Sequence, residues 1–213
     1  RDPSSKVFDR IIQAWSSAWL ATAGCKLEVR GVDRIDPSHS YVVVANHLSN
    51  LDVMVCFRAI PLPIRYLAKK ELFSIPLLAS VMRVLGIVEV DRAAGGAAID
   101  SVTVQSHKVI EAGHSLIIYP EGTRSDTGNL QPFKKGAFTM ANDAGMAVVP
   151  VTIHGTWEMW RPGGKTIRPG RVEVIIDSPL PQTLSVEEAR ETARAVIAGR
   201  LAELESAARI TQS

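Results

Sequence analysis

The chain has 213 residues, of which 46% are hydrophobic and 22% are charged, and its formal net charge is +2. This apolar content excludes a disordered polypeptide, which buries too little apolar surface to offset its ordering entropy, and the small net charge does not by itself indicate nucleic-acid binding. Two cysteines cannot form a disulfide framework and suit a reducing compartment. The length suits one domain or two small ones.

The first predicted element is a helix over residues 6–24. At about 100° per residue its apolar residues fall within one arc, and they are Phe8, Ile11, Ile12, Trp15 and Trp19. Such a stripe can pack on the core, but two tryptophans on it also suit the boundary between bilayer and water. The chain has no run of about 18 apolar residues, so no membrane span is predicted. Core packing and membrane docking are both open interpretations of this helix.

The remaining elements alternate between the apolar periods of strands and helices. Strands are predicted over residues 26–30, 41–45, 64–68, 87–90, 115–119, 147–153 and 171–176. Helices are predicted over residues 51–59, 76–85, 97–112, 134–144 and 186–208. Ser185 and Glu188 form a capping box at the start of the last helix. The alternation predicts an α/β fold, a single layered domain whose mixed, mostly parallel sheet is flanked by helices, with an N-terminal amphipathic helix.

The segment that follows strand 41–45 carries the first candidate site. It reads Asn46-His47-Leu48-Ser49-Asn50-Leu51-Asp52, and α/β folds place ligands at such strand ends. Histidine exchanges protons near neutral pH, and a carboxylate that accepts from one imidazole nitrogen leaves the other nitrogen free as a base. His47 and Asp52 meet if His47 lies in the turn and Asp52 in the first helical turn. The structural alternative is an acidic capping box, with Ser49 as N-cap and Asp52 stabilising the helix start.

A second candidate site follows strand 115–119, where the sequence reads Tyr119-Pro120-Glu121-Gly122-Thr123-Arg124-Ser125. Pro120 ends the strand, and Gly122 lets a ligand approach the backbone closely. Arg124 supplies a planar donor fork for phosphate, and the neighbouring hydroxyls supply further donors. A surface turn with a solvated arginine is the structural alternative. Residues 134–135 are lysines that precede a predicted helix, where the helix start suits a second anion.

Together the two motifs resemble the glycerolipid acyltransferase family, and most closely its 1-acylglycerol-3-phosphate acyltransferases. That family has an N-H-x4-D block and an F/Y-P-E-G-T-R-S block, which residues 46–52 and 119–125 match. Further resemblance covers its second and fourth regions, at residues 68–72, 75–76, 86–92 and 148–151. Glu89 departs from the family, which usually has an apolar or aromatic residue there. A carboxylate at this position would repel a phosphate or pair with an arginine, so acceptors other than 1-acylglycerol-3-phosphate stay open.

The resemblance implies transfer of a fatty acyl group from a thioester, acyl-CoA or an acyl carrier protein, to the free hydroxyl of a lysophospholipid. It implies that His47 is the general base and that Asp52 orients it. The residues implied to hold the acceptor are Glu121, Gly122, Thr123, Arg124, Arg92 and Pro150, with Lys69 and Lys135 as secondary anion sites. No cofactor beyond the thioester co-substrate is expected. No metal is expected either, since His107, His114 and His154 lack compact metal-ligand spacing.

These expectations divide the chain into a membrane-docking helix, residues 1–25, and an acyltransferase domain, residues 26–213. They predict a peripheral membrane protein on the cytoplasmic face, whose partners are a lipid surface, a lysophospholipid and an acyl thioester, with no nucleic acid. Local cations are expected to face anionic lipid, or else to form a solvated face. The candidates are Arg58, Arg65, Lys69, Lys70 and Arg83.

Other features of the sequence bear on alternative functions. Cys56 lies near His47 in sequence and suggests a covalent route, although its apolar neighbours favour an inert buried thiol. Residues 113–117 lack the final glycine of a hydrolase elbow, and Met159 replaces the first glycine of a P-loop ending at residues 164–166. A non-catalytic lipid-binding module of the same fold is one remaining alternative. An acyltransferase acting on glycerol-3-phosphate, a lyso-aminolipid or a glycosylated lipid is the other.

Overall fold

A computed structural model describes residues 3–69, 73–74, 79, 88–90, 109 and 111–212 of the chain. Its strands are β1 (Cys25–Arg30), β2 (Val42–Ala45), β3 (Ile64–Lys69), β4 (Val88–Val90), β5 (Ser115–Ile118), β6 (Val148–His154) and β7 (Gly170–Ile176). They form one sheet in the order β1-β7-β6-β2-β5-β3-β4. Neighbouring strands run parallel except β6 and β7, which are antiparallel. The predicted mixed, mostly parallel sheet is confirmed.

The described helices are α1 (Pro3–Thr22), α2 (Leu51–Ala59), α3 (Gly136–Asp143), α4 (Thr156–Met159) and α5 (Val186–Gln212), with a 3-10 turn at Val32–Arg34. The ends of the predicted elements that fall on described residues differ from these by no more than four residues. The predicted helices over 76–85 and 97–112 lie outside the described residues, apart from scattered positions. Helix α4 was not predicted, because four residues are too few to show a helical period.

Two apolar layers cover the sheet, one on each face. Strand β2 serves both, since Val43 packs in the cluster that contains residues of α1 and α2, while Val42 and Val44 pack with residues of α3 and α5. A strand covered on both faces is apolar throughout, which is why residues 41–45 lack alternation. The predicted capping box of α5 is also confirmed. The Ser185 backbone N–H donates to Glu188 Oε2 at 2.8 Å, and the Glu188 N–H donates to Ser185 Oγ at 3.3 Å.

Helix α1 has an inner face in the core and an outer apolar face in solvent. Ile12 and Leu20 are buried in the cluster that also contains residues of α2. Val7, Ile11 and Trp15 are 56%, 55% and 51% exposed, and we call these three residues the α1 ridge. The predicted apolar stripe is therefore wrong in one respect, because Ile12 faces the core while Ile11 and Trp15 face solvent. Neighbouring residues on a helix point about 100° apart, so one can face the core and the next can face solvent when the core covers only one edge of the apolar stripe.

The prediction that Arg65 faces lipid is wrong, because its side chain is buried on β3. Its Nη1 donates to Asp9 Oδ1 at 2.8 Å and to the Ile64 carbonyl at 2.9 Å, and its Nη2 lies 2.9 Å from His114 Nε2. Arg65 thus fastens α1 to the sheet.

Of the other residues predicted to face lipid, some lie in the described part of the chain and some lie outside it. Arg58 is exposed. Lys70 and Arg83, and the side chains of Phe8 and Lys69, lie outside the described residues. In the part of the chain that the structure describes, no helix combines the length and the apolar content that a bilayer crossing needs.

Candidate active site

The end of β2 sets the position of the first motif. Asn46 is buried, and its side-chain amide exchanges two hydrogen bonds with the backbone of Ile153 on β6. Its Nδ2 donates to the Ile153 carbonyl and its Oδ1 accepts from the Ile153 N–H, both at 2.8 Å. This pairing continues the contact between β2 and β6 beyond Ala45. The turn that carries His47 therefore starts from a fixed point.

His47 and Asp52 meet across this turn, as their spacing predicts. His47 Nδ1 lies 2.8 Å from Asp52 Oδ2. The Asp52 side chain is fully buried, while the His47 side chain keeps 17% of its exposure. Asp52 is the second residue of α2 and His47 precedes the helix, so the two side chains converge instead of diverging along one helix.

The Asp52 carboxylate has three further donors. Its Oδ2 also accepts the backbone N–H groups of Leu48 at 2.7 Å and Ser49 at 2.8 Å, and its Oδ1 accepts from Thr156 Oγ1 at 2.6 Å. The bond from Ser49 is the reach-back expected of a capping box, although the N-cap residue is Asn50 instead of Ser49. The capping-box interpretation and the His–Asp interpretation of this motif are therefore compatible, because one carboxylate both accepts the backbone N–H groups of the turn and orients the imidazole.

The face of the His47 imidazole rests on Tyr119. The two ring centroids are 3.9 Å apart and the planes differ by 8°. Tyr119 Oη lies 3.3 Å from Tyr66 Oη and 3.8 Å from Cys56 Sγ, and Tyr66 Oη donates to the Val53 carbonyl at 3.2 Å. Burial raises the pKa of both tyrosine hydroxyls well above the usual range, so they stay protonated. The stack holds the plane of the imidazole, and Asp52 holds its rotation within that plane.

Cys56 lies in this layer as a packing residue. It is fully buried, and burial raises the pKa of its thiol to about 12. Because the thiolate is the nucleophilic form of cysteine, a thiol in this state is a poor nucleophile. The geometry therefore favours the inert role for Cys56 over the covalent route.

Glu121 joins the second motif to the first. Its side chain is buried, its Oε1 accepts the His47 backbone N–H at 2.6 Å, and its Oε2 accepts the Gln131 N–H at 2.8 Å. Burial raises the pKa of this carboxyl, although the two N–H donors oppose the effect. The Ser125 N–H donates in turn to the His47 carbonyl at 2.9 Å. The backbone of His47 is thus held on both sides by the segment that follows β5.

The residues after Glu121 bring two cations to the same edge. Arg124 Nη1 donates to Asn50 Oδ1 at 2.7 Å, which places the guanidinium beside the His47 turn. Gly122 has φ +78°, and a Cβ there would lie 2.7 Å from Lys134 Nζ. Glycine thus serves both the turn and the close approach of Lys134. Thr123 is exposed.

The other predicted binding residues lie in different places. Pro150 is buried in β6 opposite Val44 of β2. Lys135 is exposed at the N-cap of α3. Arg92 and the side chain of Lys69 lie outside the described residues. The binding roles assigned to all of these residues stay predictions.

The structure adds two residues that no motif indicates. Thr156 donates to Asp52, and the Trp160 carbonyl accepts from Ser49 Oγ at 2.7 Å. Both follow β6, which is the neighbour of β2 in the sheet. Residues that follow neighbouring parallel strands meet at one edge of the sheet. Knowledge of the strand order would therefore have identified Thr156 and Trp160 as neighbours of the His47 turn.

We expect Glu121→Gln to lower the free energy of unfolding by about 1–3 kcal/mol, because one backbone N–H would then face an amide NH₂ instead of an acceptor. The His47 turn should shift with it, and catalysis that depends on the position of His47 should fall by about tenfold. Denaturant unfolding and turnover are measured together. Glu205→Gln, at an exposed position of α5, is the matched control. Unchanged stability in Glu121→Gln would show that this carboxylate does not hold the turn.

Comparison with known proteins identifies similar acyltransferases. The family model described as Acyltransferase matches residues 26–154. The chain is 32% identical over 182 residues to the chloroplastic 1-acyl-sn-glycerol-3-phosphate acyltransferase LPAT1 of Arabidopsis thaliana, covering 84% of this chain and 50% of that protein. It is 34% identical over 140 residues to the 1-acyl-sn-glycerol-3-phosphate acyltransferase of Borreliella burgdorferi, covering 66% and 55%.

A solved structure extends the likeness to the whole fold. The crystal structure of the 1-acyl-sn-glycerophosphate (LPA) acyltransferase PlsC from Thermotoga maritima matches with a TM-score of 0.83 at 28% identity, covering 94% of this chain and 81% of that one. The chain spans about half the length of the curated relatives it matches. The family match over residues 26–154 and the agreement of the folds show that the chain belongs to the acyltransferase family.

Proposed function

We propose that the protein transfers a fatty acyl group from an acyl thioester to the free hydroxyl of 1-acylglycerol-3-phosphate, which gives phosphatidic acid. The observation that carries this proposal is the contact between His47 and Asp52 beside the Glu121–Arg124 motif. The relatives named as 1-acyl-sn-glycerol-3-phosphate acyltransferases support the choice of acceptor.

In the proposed mechanism His47 is the general base. Its Nδ1 donates to Asp52, which leaves Nε2 free to take the proton of the acceptor hydroxyl as that oxygen attacks the thioester carbonyl. The tetrahedral intermediate collapses with cleavage of the carbon–sulfur bond. The imidazolium then returns the proton to the thiolate, so the donor leaves as a free thiol. The buried Asp52 carboxylate stabilises the imidazolium between these two steps.

We further propose that the acceptor phosphate binds at the edge occupied by Arg124 and Lys134. Arg124 is held by Asn50 on the same turn as His47, and Lys134 lies over Gly122. Arginine and lysine both suit phosphate, one as a donor fork and the other as a point charge. Glu121 has both oxygens occupied by backbone N–H groups, so it positions the motif.

The test is release of free CoA thiol, measured with acyl-CoA as donor and a panel of acceptors. We expect turnover with 1-acylglycerol-3-phosphate to exceed turnover with glycerol-3-phosphate and with lysophosphatidylethanolamine by at least about tenfold. Acyl carrier protein is tested as donor in parallel. A preference for another acceptor would overturn the assignment of substrate. An absence of turnover with every pair, in a folded protein, would favour the lipid-binding module.

We infer that the α1 ridge docks the protein on a lipid surface, where both lipid substrate and product reside. Val7, Ile11 and Trp15 follow an i, i+4 row, and each exposes more than half of its surface. An amphipathic helix with an aromatic residue on its apolar face suits the interface between headgroups and acyl chains. Because Ile12 and Leu20 tie the helix to the core, the domain is held at a fixed orientation to the ridge.

We expect Trp15→Glu to weaken binding to phospholipid vesicles by about tenfold or more, because an apolar side chain of this size is worth about 1.5–3 kcal/mol when buried. Gln13→Glu is the matched control, since Gln13 is an exposed residue of α1 outside the ridge and the change also adds one negative charge. Vesicle cosedimentation measures both. Equal binding by the two variants would exclude the ridge as the docking element.

A further inference from the structure

The segment between α4 and β7, residues 160–169, has a built shape, and we call it the Trp160 loop. The Arg168 N–H donates to the Met159 carbonyl at 2.9 Å and closes the loop at its base. Within it the Gly164 N–H donates to the Arg161 carbonyl at 3.0 Å, and Trp160 Nε1 donates to the Gly164 carbonyl at 2.7 Å. These bonds hold the loop in one conformation without help from a ligand.

The loop presents three cations around one pocket. Arg161, Lys165 and Arg168 are exposed, and none of them has an acidic partner among the described residues. They line a pocket of about 210 Å³ together with Glu158, so the charged groups of its wall sum to +2. The Arg161 guanidinium lies 4.0 Å from the ring centroid of Trp157, which holds its position by a cation–π contact. A pocket with an excess of positive charge suits a phosphate group.

The two ends of the Trp160 loop rest against the last turn of α1 and against the turn that follows this helix. Trp160 stacks on Trp19, with ring centroids 6.4 Å apart and planes within 6°. At the other end Pro169 contacts Gly24, and the Gly170 N–H donates to the Gly24 carbonyl at 3.3 Å. Trp19 continues the i, i+4 row of the α1 ridge after Trp15. The tryptophan stack therefore joins the last turn of α1 to the loop that carries the basic pocket.

The backbone of Trp160 contacts the candidate active site. Ser49 Oγ donates to the Trp160 carbonyl at 2.7 Å, and Ser49 lies two residues after His47. The loop thus contacts both the last turn of α1 and the His47 turn.

We propose that the Trp160 loop binds the phosphate of anionic phospholipid headgroups at the membrane surface. This proposal rests on the proposed docking of the α1 ridge. It adds the class of lipid headgroup that the docked protein prefers. The ridge supplies apolar contact without regard to headgroup, and the loop adds cations that favour an anionic bilayer. The stack of Trp19 on Trp160 keeps the two parts in register.

The test compares Lys165→Ala/Arg168→Ala with the wild-type protein on two kinds of vesicle. One is pure phosphatidylcholine, and the other contains equal parts of phosphatidylcholine and phosphatidylglycerol. We expect the double variant to lose about tenfold or more in affinity for the anionic vesicles and little for the neutral ones. The wild-type preference for anionic vesicles should also fall as salt is added.

Lys26→Ala/Arg209→Ala is the matched control, because it removes two exposed positive charges from β1 and α5. It should keep nearly the wild-type affinity, and denaturant unfolding confirms that both double variants are folded. Equal losses in the two double variants would mean that net charge alone acts, and equal losses on the two kinds of vesicle would mean that the loop serves apolar contact. Either outcome overturns the proposal.

A second experiment distinguishes binding of lipid headgroups from binding of the acyl-CoA donor. Turnover in detergent, with 1-acylglycerol-3-phosphate in mixed micelles, should show the same KM for acyl-CoA in Lys165→Ala/Arg168→Ala as in the wild-type protein. A raised KM with unchanged vesicle binding would assign the cations to the phosphates of the donor and overturn the proposal. Because vesicle binding needs no turnover, it tests the loop even if the proposed acyl transfer fails.

Discussion

His47→Ala is expected to lower kcat for acyl transfer by about 10²- to 10⁴-fold, the range that positioned general bases contribute. A hydroxyl attacks a thioester slowly unless its proton is removed during the attack. His47 is the side chain whose Nε2 is left free by the contact of Nδ1 with Asp52. The substitution also removes the ring that stacks on Tyr119, but the turn itself is held by backbone bonds to Glu121 and Ser125.

Thiol release at saturating substrate measures this effect, and unfolding by denaturant separates it from a loss of fold. His39→Ala is the matched control, because His39 is an exposed histidine bonded to Asp36 away from the dyad. Its turnover should equal that of the wild-type protein. Substantial turnover in His47→Ala, together with an inactive Cys56→Ala and a trapped acyl-cysteine, would replace the general-base mechanism with the covalent route.

Asp52→Ala is expected to lower kcat/KM by about 10³- to 10⁴-fold, similar to the loss of the orienting carboxylate in a serine protease triad. It leaves the imidazole without its partner. It also leaves the N–H groups of Leu48 and Ser49 without their acceptor. Each buried N–H that loses its acceptor costs about 1–3 kcal/mol, so the variant should unfold at lower denaturant concentration.

Asp52→Asn is expected to be milder, with a loss of about 10- to 10³-fold, because it removes the charge and keeps the geometry. Three N–H donors converge on Oδ2, from His47, Leu48 and Ser49, so an amide at position 52 must place its oxygen there. Its NH₂ then faces Thr156 Oγ1, and a hydroxyl can accept as well as donate. The proton on His47 Nδ1 is therefore retained.

The two Asp52 variants are compared by kcat/KM and by denaturant unfolding. The matched variant is Thr156→Val in the Asp52→Asn background, which removes the acceptor of the new NH₂ and should lower stability further. Equal losses in Asp52→Asn and Asp52→Ala would contradict the argument that geometry and charge are separable at this carboxylate.

The family resemblance implies that the two motifs share one site. Each motif follows a predicted strand, and the structure shows that β2 and β5 are parallel neighbours, so residues after them share one edge of the sheet. Helix and strand positions followed from apolar periods, since both are local properties of the chain. The capping box at Ser185 is local in the same way.

Contacts set by strand order could not be predicted. Thr156 follows β6, which enters the chain long after Asp52 and is placed beside β2 only by the fold. The inward turn of Ile12 depends on where α2 lies, and the burial of Arg65 depends on Asp9 and His114. None of these partners lies within the window over which a sequence period is measured.

The pairing of β1 with β7 has a consequence for how the protein is made. Leu27 lies opposite Val172, and β7 is the partner of β1 among the described strands, so β1 gains this partner only after β7 has left the ribosome. The end of α1 also rests on the Trp160 loop, which is made just before β7. During synthesis α1 can pack on α2 soon after both are made, but its last turn waits for the Trp160 loop, and such long-range contacts form slowly. Trp19 therefore has no Trp160 ring to stack on until most of the chain has been made, so the end of α1 is completed later than its contact with α2.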